Sequence, residues 1–337
     1  MEKFREIFIK RPHVVILGAG ATVDAFPDGD KRGKHSALMH NMIDVFDLKS
    51  LLRKVDLRTD STNIEDIYSE LFDRGEECKS VRVELEEKIR DYFLSMEIPD
   101  EITKYDLLLL SLRDKDCIAS FNWDPLLIQA YNRIYKITEN LPQILFLHGN
   151  VFAGICEKCK TFGLIHNSCP SCNDNFRPVP LLYPVKQKDY NESTFIRESW
   201  NDFKDYLSRA TIVTIYGYSA PLTDIEASEI LMNSFSKYKE SHKLDHIEII
   251  ERKGFNRANL SETWNDFIST TRGSYELYDD FYDSLLAEAP RRSVECYFKR
   301  YLGGWWGAPK ITLGKDKSFE TLQKELNPLF DNEKQNN

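Results

Sequence analysis

Hydrophobic and polar positions along the chain follow two alternating rhythms. Short, mainly apolar runs at Val14–Leu17, Cys117–Ser120, Ile144–Leu147, Thr211–Tyr216 and Ile247–Ile250 have the length and β-branched content of buried strands. Between them apolar residues recur at three- and four-residue spacing, the stripe a helix turns toward a core. That spacing predicts helices over about 36–52 and 63–93, one entered through Pro125 and running to about Ile134, and one from about Asp224. Proline suits a first helical turn, where the N–H it lacks would have no intrahelical partner. The stretch Asn256–Ser293 reads as mostly helical and aromatic-rich, and Asn332–Asn337 as a frayed polar end.

Strands alternating with helices predict an α/β fold, a doubly wound parallel (Rossmann-like) sheet carrying helical insertions. Such sheets bind ligands beyond the carboxyl ends of their strands. In this chain those ends carry Gly18-Ala19-Gly20, Asn122 with Asp124, His148, Gly217 with Ser219, and Glu251. Gly18-Ala19-Gly20 lets backbone amides approach a pyrophosphate, or makes a tight turn; Val23 stands where a full dinucleotide fingerprint has its third glycine. His148 is either a hydrogen-bonded core residue or a general base, since an imidazole titrates near ~6.5 and takes a hydroxyl proton at neutral pH.

Seven cysteines change the picture in one place. Cys156-x-x-Cys159 and Cys169-x-x-Cys172, nine residues apart, match two turns closing a tetrahedral four-sulfur zinc site. A full set of protein ligands leaves no position for water, so the zinc is expected to be structural. Cys78, Cys117 and Cys296 read as ordinary apolar residues. A net charge of −9 and a pI near 5.4 argue against broad binding to nucleic acid or anionic membrane. No apolar run approaches the ~20 residues of a membrane span, and the first residues lack a signal-peptide core. Cytosol is the expected compartment.

The order of these motifs resembles the sirtuin family. Gly18-Ala19-Gly20-Ala21-Thr22 with Ala25-Phe26-Pro27-Asp28 resembles its opening glycine motif and Pro-Asp loop, with one residue fewer between them. Phe121-Asn122-Trp123-Asp124 resembles the Asn-x-Asp strand end, Leu147-His148-Gly149 the catalytic His-Gly, and Gly217-Tyr218-Ser219 the second nucleotide loop, with the paired cysteines directly after the histidine. The likeness spans roughly residues 12–251. It implies an NAD-binding domain over about 1–255, with a helical insertion at about 36–112 and a zinc module at about 151–180, then a helical extension over 256–337. NAD is implied as substrate. Gly18, Ala19, Gly20 and Thr22 would cradle its pyrophosphate, with Asp28 in the same loop. Gly217 and Ser219 would lie on the adenosine side, and Glu251 would meet a ribose hydroxyl. Asn122 and Asp124 would hold the nicotinamide ribose and a water, and His148 would act as general base.

Two departures bear on the acceptor. Protein-deacylating sirtuins carry Phe-Arg after Pro-Asp, where this chain has Gly29-Asp30-Lys31-Arg32; their Phe-Gly-Glu stretch, which pairs with substrate peptide, is replaced by Leu181-Leu182-Tyr183-Pro184-Val185-Lys186-Gln187. With no acyl-lysine tunnel, water is the expected acceptor, giving nicotinamide and ADP-ribose. Divergent sirtuin-like proteins with helical additions resemble bacterial anti-phage effectors that destroy NAD. The resemblance therefore implies restraint by homo-oligomer assembly or by a partner protein such as an ATPase. Tyr297, Phe298, Tyr301, Trp305 and Trp306 form either a subunit interface or a stripe packed on the main domain. An NAD-dependent deacylase and a non-catalytic module sensing NAD or ADP-ribose are the alternatives.

Overall fold

The computed structural model describes residues 9–183, 193–218, 245–251, 264–265, 267–269, 274–303 and 311–336. Ser219, residues 184–187, the helix expected from Asp224, and Trp305 and Trp306 lie outside the described residues. From β1 (His13–Leu17) the chain turns into α1 (Ala19–Ala25). It then passes through α2 (Met42–Val45), α3 (Lys49–Leu52), α4 (Ile64–Asp73), α5 (Lys79–Leu94) and α6 (Lys104–Leu110) to β2 (Cys117–Ser120). Next come α7 (Leu126–Ile134), β3 (Gln143–Phe146), the short strands β4 (Ala153–Ile155), β5 (Phe162–Leu164) and β6 (Arg177–Pro178), and α8 (Thr194–Arg209). The rest comprises β7 (Ile212–Tyr216), β8 (His246–Ile250), β9 (Ser274–Tyr278), α9 (Leu285–Glu288), α10 (Ser293–Leu302) and α11 (Phe319–Asn336).

Six strands form one parallel sheet in the order β3-β2-β1-β7-β8-β9. The central strands are buried along their whole length, as strands covered on both faces are, and their polar members His13, Thr214, His246 and Glu248 are buried with the apolar ones. The architecture is the expected Rossmann-like sheet flanked by helices. A separate antiparallel sheet, β5-β4-β6, carries the cysteines.

Several boundaries differ from those the pattern predicts. The helix expected over 36–52 is two single turns, α2 and α3, parted by Asp47 at φ 49°. The stripe over 63–93 belongs to two helices: Gly75, at φ 56°, takes the left-handed backbone that ends α4 before α5 begins. Asn63 caps α4, its side chain accepting from the Glu65 N–H at 3.0 Å. Where 256–293 was expected to be mostly helical, Ser274–Tyr278 is instead β9, paired along β8 with Leu277 beside Ile249. Its Tyr-Glu-Leu-Tyr content favours a pleated surface. The expected frayed end is helical to Asn336, because Glu333 is buried against Arg291 and Arg292.

Candidate active site

The chain winds from β1 outward through β2 and β3 on one side, while β7, β8 and β9 extend on the other. The topological switch point therefore falls between β1 and β7, where doubly wound folds open a ligand crevice. Both strands run into glycine there. The Gly18 N–H donates to the Tyr216 carbonyl at 3.0 Å, and the Gly20 N–H to the Gly217 carbonyl at 2.9 Å. A Cβ on Gly18 would lie 2.5 Å from the Gly217 oxygen, and one on Gly20 2.9 Å from it. The glycines thus let two loops touch backbone to backbone, and the Gly20 amide is engaged within the protein.

Beyond β2, the Asn122 amide is buried, with Nδ2 donating to the Gly18 carbonyl at 2.9 Å and to Thr22 Oγ1 at 3.0 Å. Asp124 Oδ2 accepts from the Thr22 hydroxyl at 2.9 Å, and Oδ1 from the Leu126 N–H at 3.1 Å in the first turn of α7. Burial pushes the Asp124 carboxyl up to about 6, against the lowering pull of those two donors. Tyr105, from α6, completes the cluster, its hydroxyl 2.6 Å from Thr22 Oγ1 and 3.2 Å from Asn122 Nδ2. The sequence pattern passes over Tyr105 as a core position in a leucine run. The usable signal is that a buried tyrosine needs a partner for its hydroxyl.

His148 follows β3. Its ring stands edge-on to Phe121 at 4.8 Å, and Phe121 stacks flat on Tyr218 at 4.1 Å, so the loop after β7 reaches the histidine through the loop after β2. Gly149 makes the turn at φ 78°, where a Cβ would sit 2.3 Å from the Pro180 carbonyl oxygen. Asn150, which the sequence motifs do not single out, ties this loop to the previous one: its Nδ2 donates to the Asp124 carbonyl at 2.7 Å.

The structure thus gathers Gly18, Gly20, Thr22, Asn122 and Asp124 into one buried cluster, with half-buried Gly217 against the two glycines and His148 packed on the neighbouring Phe121. Ala19 opens α1 between the two glycines. Glu251 is buried past the end of β8, its N–H donating to the Tyr278 carbonyl at 3.0 Å. Asp28 is exposed on the turn after α1. Asp30 is a loop-building carboxylate, accepting from the Arg32, Lys34 and Glu97 N–H groups at 2.8, 2.8 and 3.0 Å.

The four cysteines form a second centre, built of two matching knuckles. The Lys160 N–H donates to the Cys156 carbonyl and the Asn173 N–H to the Cys169 carbonyl, each at 2.8 Å, and Lys160 and Asn173 share left-handed φ values of 54° and 62°. The sulfurs of Cys156, Cys159, Cys169 and Cys172 all lie within 4.8 Å of one another. Tetrahedral zinc–thiolate bonds of about 2.3 Å set sulfurs about 3.8 Å apart, so this donor set fits zinc. Zinc bound here would cross-link the module and leave no open position. A Cys172→Ser variant is expected to purify without zinc and to lose about 3–4 °C of thermal midpoint, as ~2–3 kcal/mol does in a chain of this size. Elemental analysis and a melting curve check both.

His246, Glu248 and Glu276 also bring ligand atoms within 4.8 Å of one another. Their carboxylates are already in use: Glu248 accepts from Thr214 at 3.0 Å and the Leu285 N–H at 2.9 Å, and Glu276 from Tyr278. This is a polar ladder across the middle of β7, β8 and β9, continued at the start of β1 by His13, whose Nε2 is 2.7 Å from Thr214 Oγ1.

No protein-family model matches the chain, and no curated protein does. Solved structures with a similar course include Sir2 bound to acetylated peptide, with 13% identity over 90% of this chain and 98% of that one, at a TM-score of 0.37. A Sir2 homolog–NAD complex matches with 13% identity over 82% and 88%, at 0.35. A mutant Sir2 homologue bound to ADP-ribose matches with 13% over 79% and 96%, at 0.33. Among the described residues, no helix is long and apolar enough to cross a membrane.

Proposed function

We propose that the protein is a sirtuin-like NAD hydrolase, cleaving the nicotinamide–ribose bond and passing ADP-ribose to water. The observation that carries this reading is the buried Thr22–Asn122–Asp124 cluster, set against paired glycine turns at the switch point with His148 beside it. Cleavage passes through an oxocarbenium-like transition state, which fixed carboxylate and amide oxygens stabilise. Both hydrogens of Asn122 Nδ2 have acceptors in the protein, so its Oδ1 is the atom to meet the ribose. Asp124, with its carboxyl at about 6, is mostly ionised at neutral pH and supplies negative charge. His148 takes the proton of the attacking water.

Gly18, Ala19 and Gly20 receive the pyrophosphate by shape, Gly20 without its amide. Thr22 acts through Asn122 and Asp124. Gly217 with Ser219 serves the adenosine side, Glu251 a ribose hydroxyl, and Asp28 the loop rim.

Water is favoured as acceptor by the segment after the zinc module. Tyr183 stacks on Tyr68 at 5.2 Å and donates to the Glu86 carbonyl at 3.1 Å, while the Leu182 N–H donates to the His148 carbonyl at 3.0 Å. This segment is bound to the helical insertion and the histidine loop, where a deacylase needs a strand open to peptide. Unchecked NAD consumption poisons the host cell, so the reading includes a cytoplasmic anti-phage effector held latent by homo-oligomer assembly or a partner such as an ATPase.

The test is nicotinamide release from NAD with and without an acetyl-lysine peptide, beside His148→Ala. Release without peptide, absent in the variant, supports the hydrolase. Release only with peptide assigns a deacylase instead. NAD binding without release under any condition replaces the enzyme by a sensing module.

A further inference from the structure

We propose that Tyr105 is a positioning residue of this site: its hydroxyl passes a hydrogen bond through Thr22 to Asp124, and so fixes both the Asn122 amide and the Asp124 carboxylate. The inference rests on the site assignment made under the proposed function.

Donor counting sets the direction of the chain. An ionised carboxylate only accepts, so the single proton of the Thr22 hydroxyl points at Asp124 Oδ2, 2.9 Å away. Thr22 Oγ1 must then accept from its other two neighbours, the Tyr105 hydroxyl at 2.6 Å and Asn122 Nδ2 at 3.0 Å. Tyr105 is therefore the donor that heads the relay, and its oxygen in turn faces Asn122 Nδ2 at 3.2 Å. Linked hydroxyls polarise one another, so the first donor strengthens the bond that reaches the carboxylate.

The ring cannot wander. Tyr105 is fully buried and stands edge-on to Phe26 at 5.3 Å, in the turn after α1. The adjacent Lys104 bonds Asp24 of α1 at 2.8 Å and Asp280 of the C-terminal segment at 3.1 Å. Through this one ammonium the start of α6 is tied to both α1 and the C-terminal segment. The group that orients the Asn-x-Asp pair comes from the helical insertion, not from either glycine loop.

The test is Tyr105→Phe, which keeps the ring and removes the donor. Its first readout is the titration of Asp124 without NAD, followed as the urea stability of each protein minus that of its Asp124→Asn counterpart across pH. The folded carboxyl titrates at about 6, above the ~3.9 of an unfolded aspartate. Its proton-linked stability is therefore fully present below pH ~4 and lost as pH rises through about 6. Removing the relay donor weakens the Thr22 bond to the anion, so the midpoint is expected to rise by about 0.5 pH unit. A merely structural role would lower stability equally at every pH and leave the midpoint in place.

The second readout is nicotinamide release, expected to fall about tenfold in kcat with KM for NAD within about twofold, as when an interaction of the transition state is lost. Thr22→Val, which removes the middle of the relay, is expected to raise the midpoint in the same way and serves if Tyr105→Phe does not fold. An unmoved midpoint in a folded variant overturns the proposal. A raised midpoint in a protein that never turns over NAD supports the relay and sinks the hydrolase reading, so the two failures are separable.

Discussion

Alanine at Gly217 is expected to destabilise the fold by about 3–5 kcal/mol, well beyond the cost of left-handed backbone alone. Two effects add. Gly217 has φ 61°, where an L side chain costs about 1–2 kcal/mol. Its Cβ would also lie 2.0 Å from the Ala21 nitrogen and 2.4 Å from the Gly20 carbonyl carbon, both backbone atoms that no rotamer change can move. Relief requires parting the loop after β7 from the first turn of α1, which breaks the Gly20 N–H bond to the Gly217 carbonyl. Gly75 supplies the control: its φ is 56° and a Cβ there meets nothing within 4 Å. Gly75→Ala is expected to cost only about 1–2 kcal/mol. Urea unfolding of both variants measures the gap, and a Gly217→Ala cost within about 1 kcal/mol of the Gly75→Ala cost would refute the close-approach argument.

That contrast also marks how far the sequence can be read. Strand-end polar residues announce themselves locally, because a buried strand is a short apolar run and whatever polar residue follows it sits at a sheet end. Gly18, Asn122, His148, Gly217 and the cysteine pairs are legible in this way, and so is the parallel sheet. Function within the site is less so. The Gly20 amide, expected for a pyrophosphate, is engaged by Gly217, and the Thr22 hydroxyl by Asp124. Neither commitment is visible without knowing which loops touch. Tyr105 meets Thr22 across 83 residues of chain and Asn150 meets Asp124 across 26, so no local pattern names either pair. Periodicity fails differently over 63–93, where one apolar stripe continues through Gly75 although the backbone reverses its hand there. The strand β9 is hidden because its strand-favouring tyrosines stand in a longer aromatic-rich stretch whose spacing also fits a helix.

Removing the carboxylate of Glu333 is expected to cost about 3–5 kcal/mol, the penalty for leaving buried charge unpaired. Arg291 Nε donates to both Glu333 oxygens at 2.9 Å, and Arg292 Nη1 to Oε1 at 2.6 Å. The Arg291 side chain is 0% exposed and that of Arg292 6%. Arg291 also donates to the Leu112 carbonyl at 2.8 Å and to the Asn140 carbonyl at 2.9 Å, so the guanidinium joins α11 to the chain before β2 and before β3. Glu333→Ala removes the carboxylate that pairs the buried Arg291 and leaves Arg292 only Glu295, 3.9 Å from its Nε. On the same helix, Glu325 pairs with Lys317 at 2.5 Å from a 39% exposed side chain, and Glu325→Ala is expected to cost less than about 1 kcal/mol. The pH dependence gives an independent check. Burial pushes the Glu333 carboxyl up, but Arg291 and Arg292 outweigh it and hold the group below the ordinary glutamate range. A depressed folded pKa means stability that is present above the unfolded value of ~4.3 and lost as pH falls below it. The stability gap between the protein and Glu333→Gln should therefore be wide at pH 7 and narrow below pH ~4. A gap that stays constant across that window would mean the pair contributes through packing alone.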